Sequence, residues 1–222
     1  MALLEIACFN TESALNAQNA CADRIELCDG ISIGGITPDF NSLFSLRSTI
    51  AIPVFVMIRP RGGNFVYSDA EYGQMKSDIT RFKAIANGFV FGMLDTQNCI
   101  DVARNSELVA LARPLPCTFH RAFDETRNIY DALEDVIRCD FASILTSGGQ
   151  PNAVLGVEVL SDLIERARGR VVIMPGGGVR SSNVKTLQCK TKAGSYHSSA
   201  IIDGNTASVA EIHLLRKLLQ QV

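Results

Sequence analysis

The chain has 222 residues, 47% hydrophobic and 20% charged, with mean hydropathy +0.15, a composition that excludes wholesale disorder and a multi-domain machine. Its 21 Lys and Arg stand against 23 Asp and Glu, and a net charge of −2 gives no field to draw in nucleic acid or a lipid surface. No apolar run reaches the roughly 20 residues needed to cross a bilayer, and seven irregularly spaced cysteines without a C-x-x-C pair suit reduced thiols in the cytoplasm.

The opening "MALLEIACF" lacks a basic n-region and carries Glu5 where a signal peptide is apolar, so it reads as a first strand. From there one texture repeats to the end: a short apolar or β-branched run, a Gly, Pro, Asn, Ser or Asp cluster, then a helical pattern. Eight runs are predicted as strands, at residues 3–8, 24–28, 54–58, 89–94, 116–120, 142–146, 171–174 and 194–198. The third helix is marked by Tyr72, Met75, Ile79, Phe82 and Ala86 on one stripe, with Ser68 and Asp69 as its start signal. Ile129, Leu133, Val136 and Ile137 mark the fifth, Leu155, Val159 and Leu163 the sixth, and Ile212, Leu215 and Leu219 the last. Eight βα units of about 28 residues predict a closed (β/α)₈ barrel as a single domain over residues 1–222. An open doubly wound sheet is the alternative, but "ACFNTES" follows the first strand where a G-x-G-x-x-G turn belongs.

In such a barrel the site lies at the carboxyl ends of the strands, and here those ends are polar. Glu5, Glu26, Arg59, Asp95 and His120 are the candidate acid–base group, because an imidazole near carboxylates suits proton transfer at neutral pH. A buried structural ion pair of Glu5 or Glu26 with Arg59 is the competing reading. Arg61, Gly176, Gly177, Gly178, His197, Ser198 and Ser199 are the candidate anion site, since glycines expose amides and serines add hydroxyl donors; three glycines can also simply make a tight turn. His213, on the last helix, reads as a solvated or packing residue. Cys8 and Cys28 end consecutive strands, where two thiolates can bridge one soft ion such as Cu(I) or Zn. Against that, buried cysteine often serves as a small hydrophobe, and strand parity puts Cys28 on the face of Glu26 but Cys8 opposite Glu5.

The strings "IELC", "GGITP", "VFVMIRPRGGNFVYSDAE", "PLPCTFHRAFDE", "ILTSGG" and "VVIMPGGGV" together resemble the CutC family of copper homeostasis proteins, from Leu3 to about Ala200. The resemblance implies a cytosolic barrel that forms homo-oligomers and handles Cu(I), with Cys8 and Cys28 at the positions of the proposed ligands in animal members. The chain departs from the family after "HSSA", where Ala200 runs through a short "IIDGNTAS" into the final helix. Copper carriage through thiolates is the reading implied by the resemblance. The alternative is an enzyme acting on a small anionic or phosphorylated substrate by Glu and His chemistry.

Overall fold

A computed structural model describes residues 2–220. Strands and helices alternate: β1 (Leu3–Cys8), α1 (Thr11–Asn19), β2 (Arg24–Leu27), α2 (Phe40–Leu46), β3 (Val54–Met57), α3 (Asp69–Phe82), β4 (Gly88–Phe91) and α4 (Val102–Ala112) form the first half. The second comprises β5 (Cys117–Phe119), α5 (Ile129–Arg138), β6 (Ser143–Thr146), α6 (Val157–Ala167), β7 (Val172–Pro175), α7 (Val184–Thr191), β8 (Ser195–Ser198) and α8 (Val209–Gln220). All strand pairs are parallel, in the order β7-β6-β5-β4-β3-β2-β1-β8. The sheet is therefore a (β/α)₈ barrel, nearly closed. Among the described residues no main-chain ladder joins β7 to β8, and side chains bridge that seam: Ser198 Oγ donates to the Val179 carbonyl (2.7 Å), while Arg180 reaches the hydroxyls of Ser198 (3.1 Å) and Ser199 (3.2 Å).

The period of two along each strand sorts side chains between two layers. Leu4, Ile6, Ile25, Leu27, Val54, Val56, Phe89 and Phe119 turn outward into the large core shared with the helices. Cys28, Phe55, Met57 and Val90 form a separate apolar cluster inside the barrel, with Phe9 packed on it. Glycine at the start of β4 admits the ring of Phe55: a Cβ on Gly88 would lie 2.6 Å from two of its carbons.

The helices follow their sequence signals. Ser68 caps α3 in a full capping box with Glu71, and Tyr72, Met75, Ile79 and Phe82 face the core. In α8 the buried stripe is Ile212, Leu215 and Leu219, as the spacing predicts. The sixth helix differs. Leu155 precedes α6 and is 64% exposed, and the buried face is Val157, Leu160, Leu163 and Ala167. The short stretch after Ala200 is docked on α1, with Asn10 Nδ2 donating to the Asn205 carbonyl, Asn16 Nδ2 to the Ala207 carbonyl, and Ala207 N to Ser13 Oγ.

Candidate functional site

A cavity of about 220 Å³ opens inside the carboxyl ends of the strands. Alternation brings Ala7 from β1, Glu26 and Cys28 from β2, Met57 and Arg59 from β3, His120 from β5 and His197 from β8 to its wall.

On one side lies a buried chain of charges. Arg24 Nε donates to Glu5 Oε2 (2.5 Å), Glu5 Oε1 meets His197 Nδ1 (2.7 Å), and His197 Nε2 stands 3.7 Å from Glu26 Oε2. Register explains the assembly, since Glu5 is the pairing partner of both Arg24 and His197. The Arg24 guanidinium is fixed from below by the Phe55 ring, 4.2 Å from its centroid. Burial alone raises the carboxyl of Glu5, but Arg24 and His197 more than offset it and hold it below the ordinary carboxylate value. Burial opposes the charge on His197, yet Glu5 and Glu26 raise it above an ordinary imidazole. Glu26 ends the chain at the cavity wall. Burial pushes its carboxyl up to about 7, His197 and the neighbouring Cys28 thiol oppose that rise, Glu5 adds to it, and no N–H or O–H donor of the described residues reaches Oε1. A carboxyl poised near neutrality at a cavity wall accepts and returns protons.

The rest of the wall is cationic and rich in donors. Arg59 is held by the carbonyls of Ile33, Gly35 and Gly63 and lies over the Phe65 ring. Arg121 is anchored on Asp124 (2.8 Å) and Ser147 (2.8 Å), leaving Nη1 without a bond among the described residues. Gly177 and Gly178 both have left-handed φ, their amides make no bond among the described residues, and a Cβ on Gly177 would lie 3.1 Å from the Arg121 guanidinium. Backbone N–H groups and arginines facing one space make a site for an anion.

Several sequence expectations land elsewhere. Arg61 is taken by Glu71 (2.5 Å), Asn64 and the Val66 carbonyl, outside the cavity wall. Asp95 closes its own turn, accepting from the amides of Gln97 and Cys99, and is likewise outside. Gly176 lies beneath the cavity, where a Cβ would be 2.3 Å from Leu145 Cδ1. Arg59 pairs with carbonyls, and the carboxylates pair with Arg24 and His197. Cys8 and Cys28 do not share one face. Cys8 packs outward with Leu4 and Ile6 while its neighbours Ala7 and Phe9 line the cavity, so β1 stays regular; Cys28 alone of the two lies at the wall. Burial, with Glu26 next, raises both thiols well above an ordinary cysteine. Arg24 and Arg180 were not singled out by the sequence reading. Arg24 is legible as the third member of the inward row 24, 26, 28, and Arg180 as the cation directly after "GGGV".

The sequence pattern of the CutC family matches residues 2–202. The human copper homeostasis protein cutC homolog is 46% identical over 199 residues, 89% of this chain and 73% of that protein. A family protein CutC of Parabacteroides distasonis is 41% identical over 200 residues, 89% of this chain and 82% of its own. The crystal structure of a Streptococcus agalactiae protein given the CutC name superposes with TM-score 0.85 at 31% identity, covering 90% of this chain and 99% of that one.

Proposed function

The chain belongs to the CutC family, and from that premise we propose that the barrel mouth binds a small anionic ligand and moves a proton on it through Glu26. The observation that carries this reading is the buried carboxyl of Glu26, with the Cys28 thiol beside it and an Oε1 that no N–H or O–H donor of the described residues reaches, lining a cavity that also bears Arg59, Arg121 and the free amides of Gly177 and Gly178. A cavity of about 220 Å³ is smaller than the roughly 300–1,000 Å³ of drug-sized sites and suits a metabolite of a few carbons. Glu5, Arg24 and His197 position Glu26 and set its charge. A thermal-shift screen of small phosphates and carboxylates tests binding, followed by turnover of the hits. Glu26→Gln should keep the fold and lose about 10²- to 10⁴-fold in rate. Failure of every anion to raise the melting temperature, or full turnover by Glu26→Gln, overturns the reading.

Copper handling through a thiolate is the second reading, favoured by Cys28 at the cavity wall and by the copper homeostasis names of the relatives. Both thiols are pushed toward their protonated form by burial, and the outward side chain of Cys8 would have to cross the sheet to reach a shared ion. Titration with Cu(I) against a chelator under reducing conditions separates Cys28→Ser, which weakens binding on this reading, from Cys8→Ser, which leaves it unchanged. A cytoplasmic setting belongs to both readings, since all seven cysteines are free. A homo-oligomer also belongs to both; the exposed Ile31 and Ile33 beside the mouth are apolar surface that a second copy would cover.

A further inference from the structure

We propose that His120 is a neutral N–H donor to a carbonyl oxygen, and hence that the ligand of this cavity is a small anionic carbonyl compound whose α-proton Glu26 removes. The inference rests on the preceding reading of the cavity and adds to it the class of substrate.

The tautomer follows from one contact. The amide of Ala122 donates to His120 Nδ1 (3.3 Å), so the lone pair is at Nδ1 and the proton of the neutral ring is at Nε2. Nε2 is buried and has no acceptor among the described residues, although the ring belongs to the cavity wall. A buried N–H left unpaired carries a desolvation cost, and a ligand oxygen brought against it by a small shift of the cavity wall removes it. The ring cannot swing to satisfy itself elsewhere: Phe65 packs on it with centroids 4.8 Å apart, Phe119 meets it edge-on at 6.0 Å, and a Cβ on Gly92 would lie 2.9 Å from Nδ1. Burial first, and the charge of Arg59 second, push this imidazole down to about 3, which removes it as a base at neutral pH. The other charged or titratable groups of the wall are Arg59, Arg121, Arg180, Glu26, Cys28 and His197.

A neutral donor that faces an oxygen is suited to charge that develops there, without supplying a proton outright. With Glu26 as carboxylate, the step is an enolisation. Glu26 takes the proton from the carbon next to the carbonyl, the C–H pair becomes the new C=C bond, and the carbonyl π pair moves to oxygen, which accepts the hydrogen bond from His120 Nε2. Where the carbon that loses the proton carries a hydroxyl, the O–H proton passes to the enolate oxygen and the electron pair left on the hydroxyl oxygen forms the new C=O. The C=C pair then takes the proton back from Glu26 at the former carbonyl carbon, an isomerisation with no oxidant or reductant. The substrate class is therefore an α-hydroxy carbonyl compound. The anionic end of the substrate sits against Arg121 and the amides of Gly177 and Gly178.

Two probes separate the parts of this assignment: inorganic phosphate, which needs only the anion side, and 2-phosphoglycolate, whose planar carboxylate stands in for the enolate oxygen. Wild type should bind 2-phosphoglycolate at least tenfold more tightly than phosphate, and His120→Ala should erase that difference while leaving phosphate affinity unchanged. In ¹⁵N spectra the ring of His120 should remain the neutral Nε2–H tautomer from pH 5 to 8, and its Nε2–H signal should shift with 2-phosphoglycolate. If neither probe binds, the anion site and this inference both fall. If both bind equally and His120→Ala changes nothing, the donor role alone falls. A His120 ring that titrates near 6.5 in the wild type overturns it too, whether or not the variant folds.

Discussion

At the scale of single residues, the mouth holds two buried groups whose protonation pulls stability in opposite directions. His120 keeps a folded-state value of about 3 against an ordinary 6.5, so the unfolded chain takes up a proton that the folded one refuses, and stability falls as pH drops below 6.5. Glu26 is raised from 4.5 to about 7, so the folded chain keeps a proton that the unfolded one has released, and stability falls as pH rises from 4.5 toward 7. Between pH 4.5 and 6.5 the two slopes cancel, each being about 1.4 kcal/mol per pH unit for one proton. Glu5, held low, acts mostly below that window and His197, held high, above it. Urea denaturation at pH 4.5, 5.5 and 6.5 should therefore give a flat wild-type profile, a profile falling with pH for His120→Gln, and one rising with pH for Glu26→Gln. Flat profiles for both variants would show that the two groups are not held in these charge states. The residues themselves were legible in the sequence, because inward polar positions at strand ends are few. The charge state was not, since it depends on Ala122 reaching back to His120 and on Arg24 and His197 converging on Glu5 from two other strands.

At the scale of elements, the strands were legible to within a few residues because short β-branched runs bounded by turn residues have few other uses. The faces were legible wherever alternation was kept. Cys8 is instructive: parity already set it opposite Glu5, and the outward packing against Leu4 and Ile6 is what a regular strand dictates. The sixth helix was misplaced by a few residues because Leu155 continues the apolar spacing on the loop side of Gly156, where a Cβ would run into the Ser147 carbonyl. Strand β4 carries a sharper consequence. Gly88 pairs in register with Phe55, whose ring fills the space above it and supports Arg24 on its other face. Gly88→Ala should cost about 1–3 kcal/mol by overpacking, read as a lower urea midpoint at unchanged slope, and it should also weaken ligand binding because Arg24 holds Glu5. Ser68→Ala removes the capping box of α3, should cost about 0.5–2 kcal/mol, and should leave ligand affinity unaltered because that helix start is not part of the cavity wall. Equal effects of the two substitutions on binding would disconnect β4 from the site.

At the scale of the whole molecule, main-chain ladders among the described residues join every neighbouring pair of strands except β7 and β8. That seam lies beside the anion side of the cavity, since Gly177 and Gly178 leave β7 and Ser198 and Ser199 end β8. Beside the bond from Ser198 Oγ to the Val179 carbonyl, Arg180 spans it, donating to the Val179 carbonyl (2.7 Å), to both serine hydroxyls and to the Ile201 carbonyl (3.1 Å). Hydrogen bonds from a charged donor contribute roughly 1.5–3 kcal/mol each when retained, and leaving the acceptors unpaired is costly. A seam held by one guanidinium and the Ser198 hydroxyl should therefore be the least stable closure of the barrel, opening locally before the ladders do. Amide exchange should show it: Arg180→Ala should speed exchange at residues 195–201 by about tenfold or more, a change of at least roughly 1.4 kcal/mol, while β3, β4 and β5 keep wild-type rates. Phosphate at a hundred times its dissociation constant should slow the same segment in the wild type, adding about 2.7 kcal/mol to the bound form. Uniform acceleration across all eight strands would mean that Arg180 supports the barrel as a whole, and exchange unchanged by the substitution would mean that Ser198 and the contacts of β8 with β1 close the seam without it.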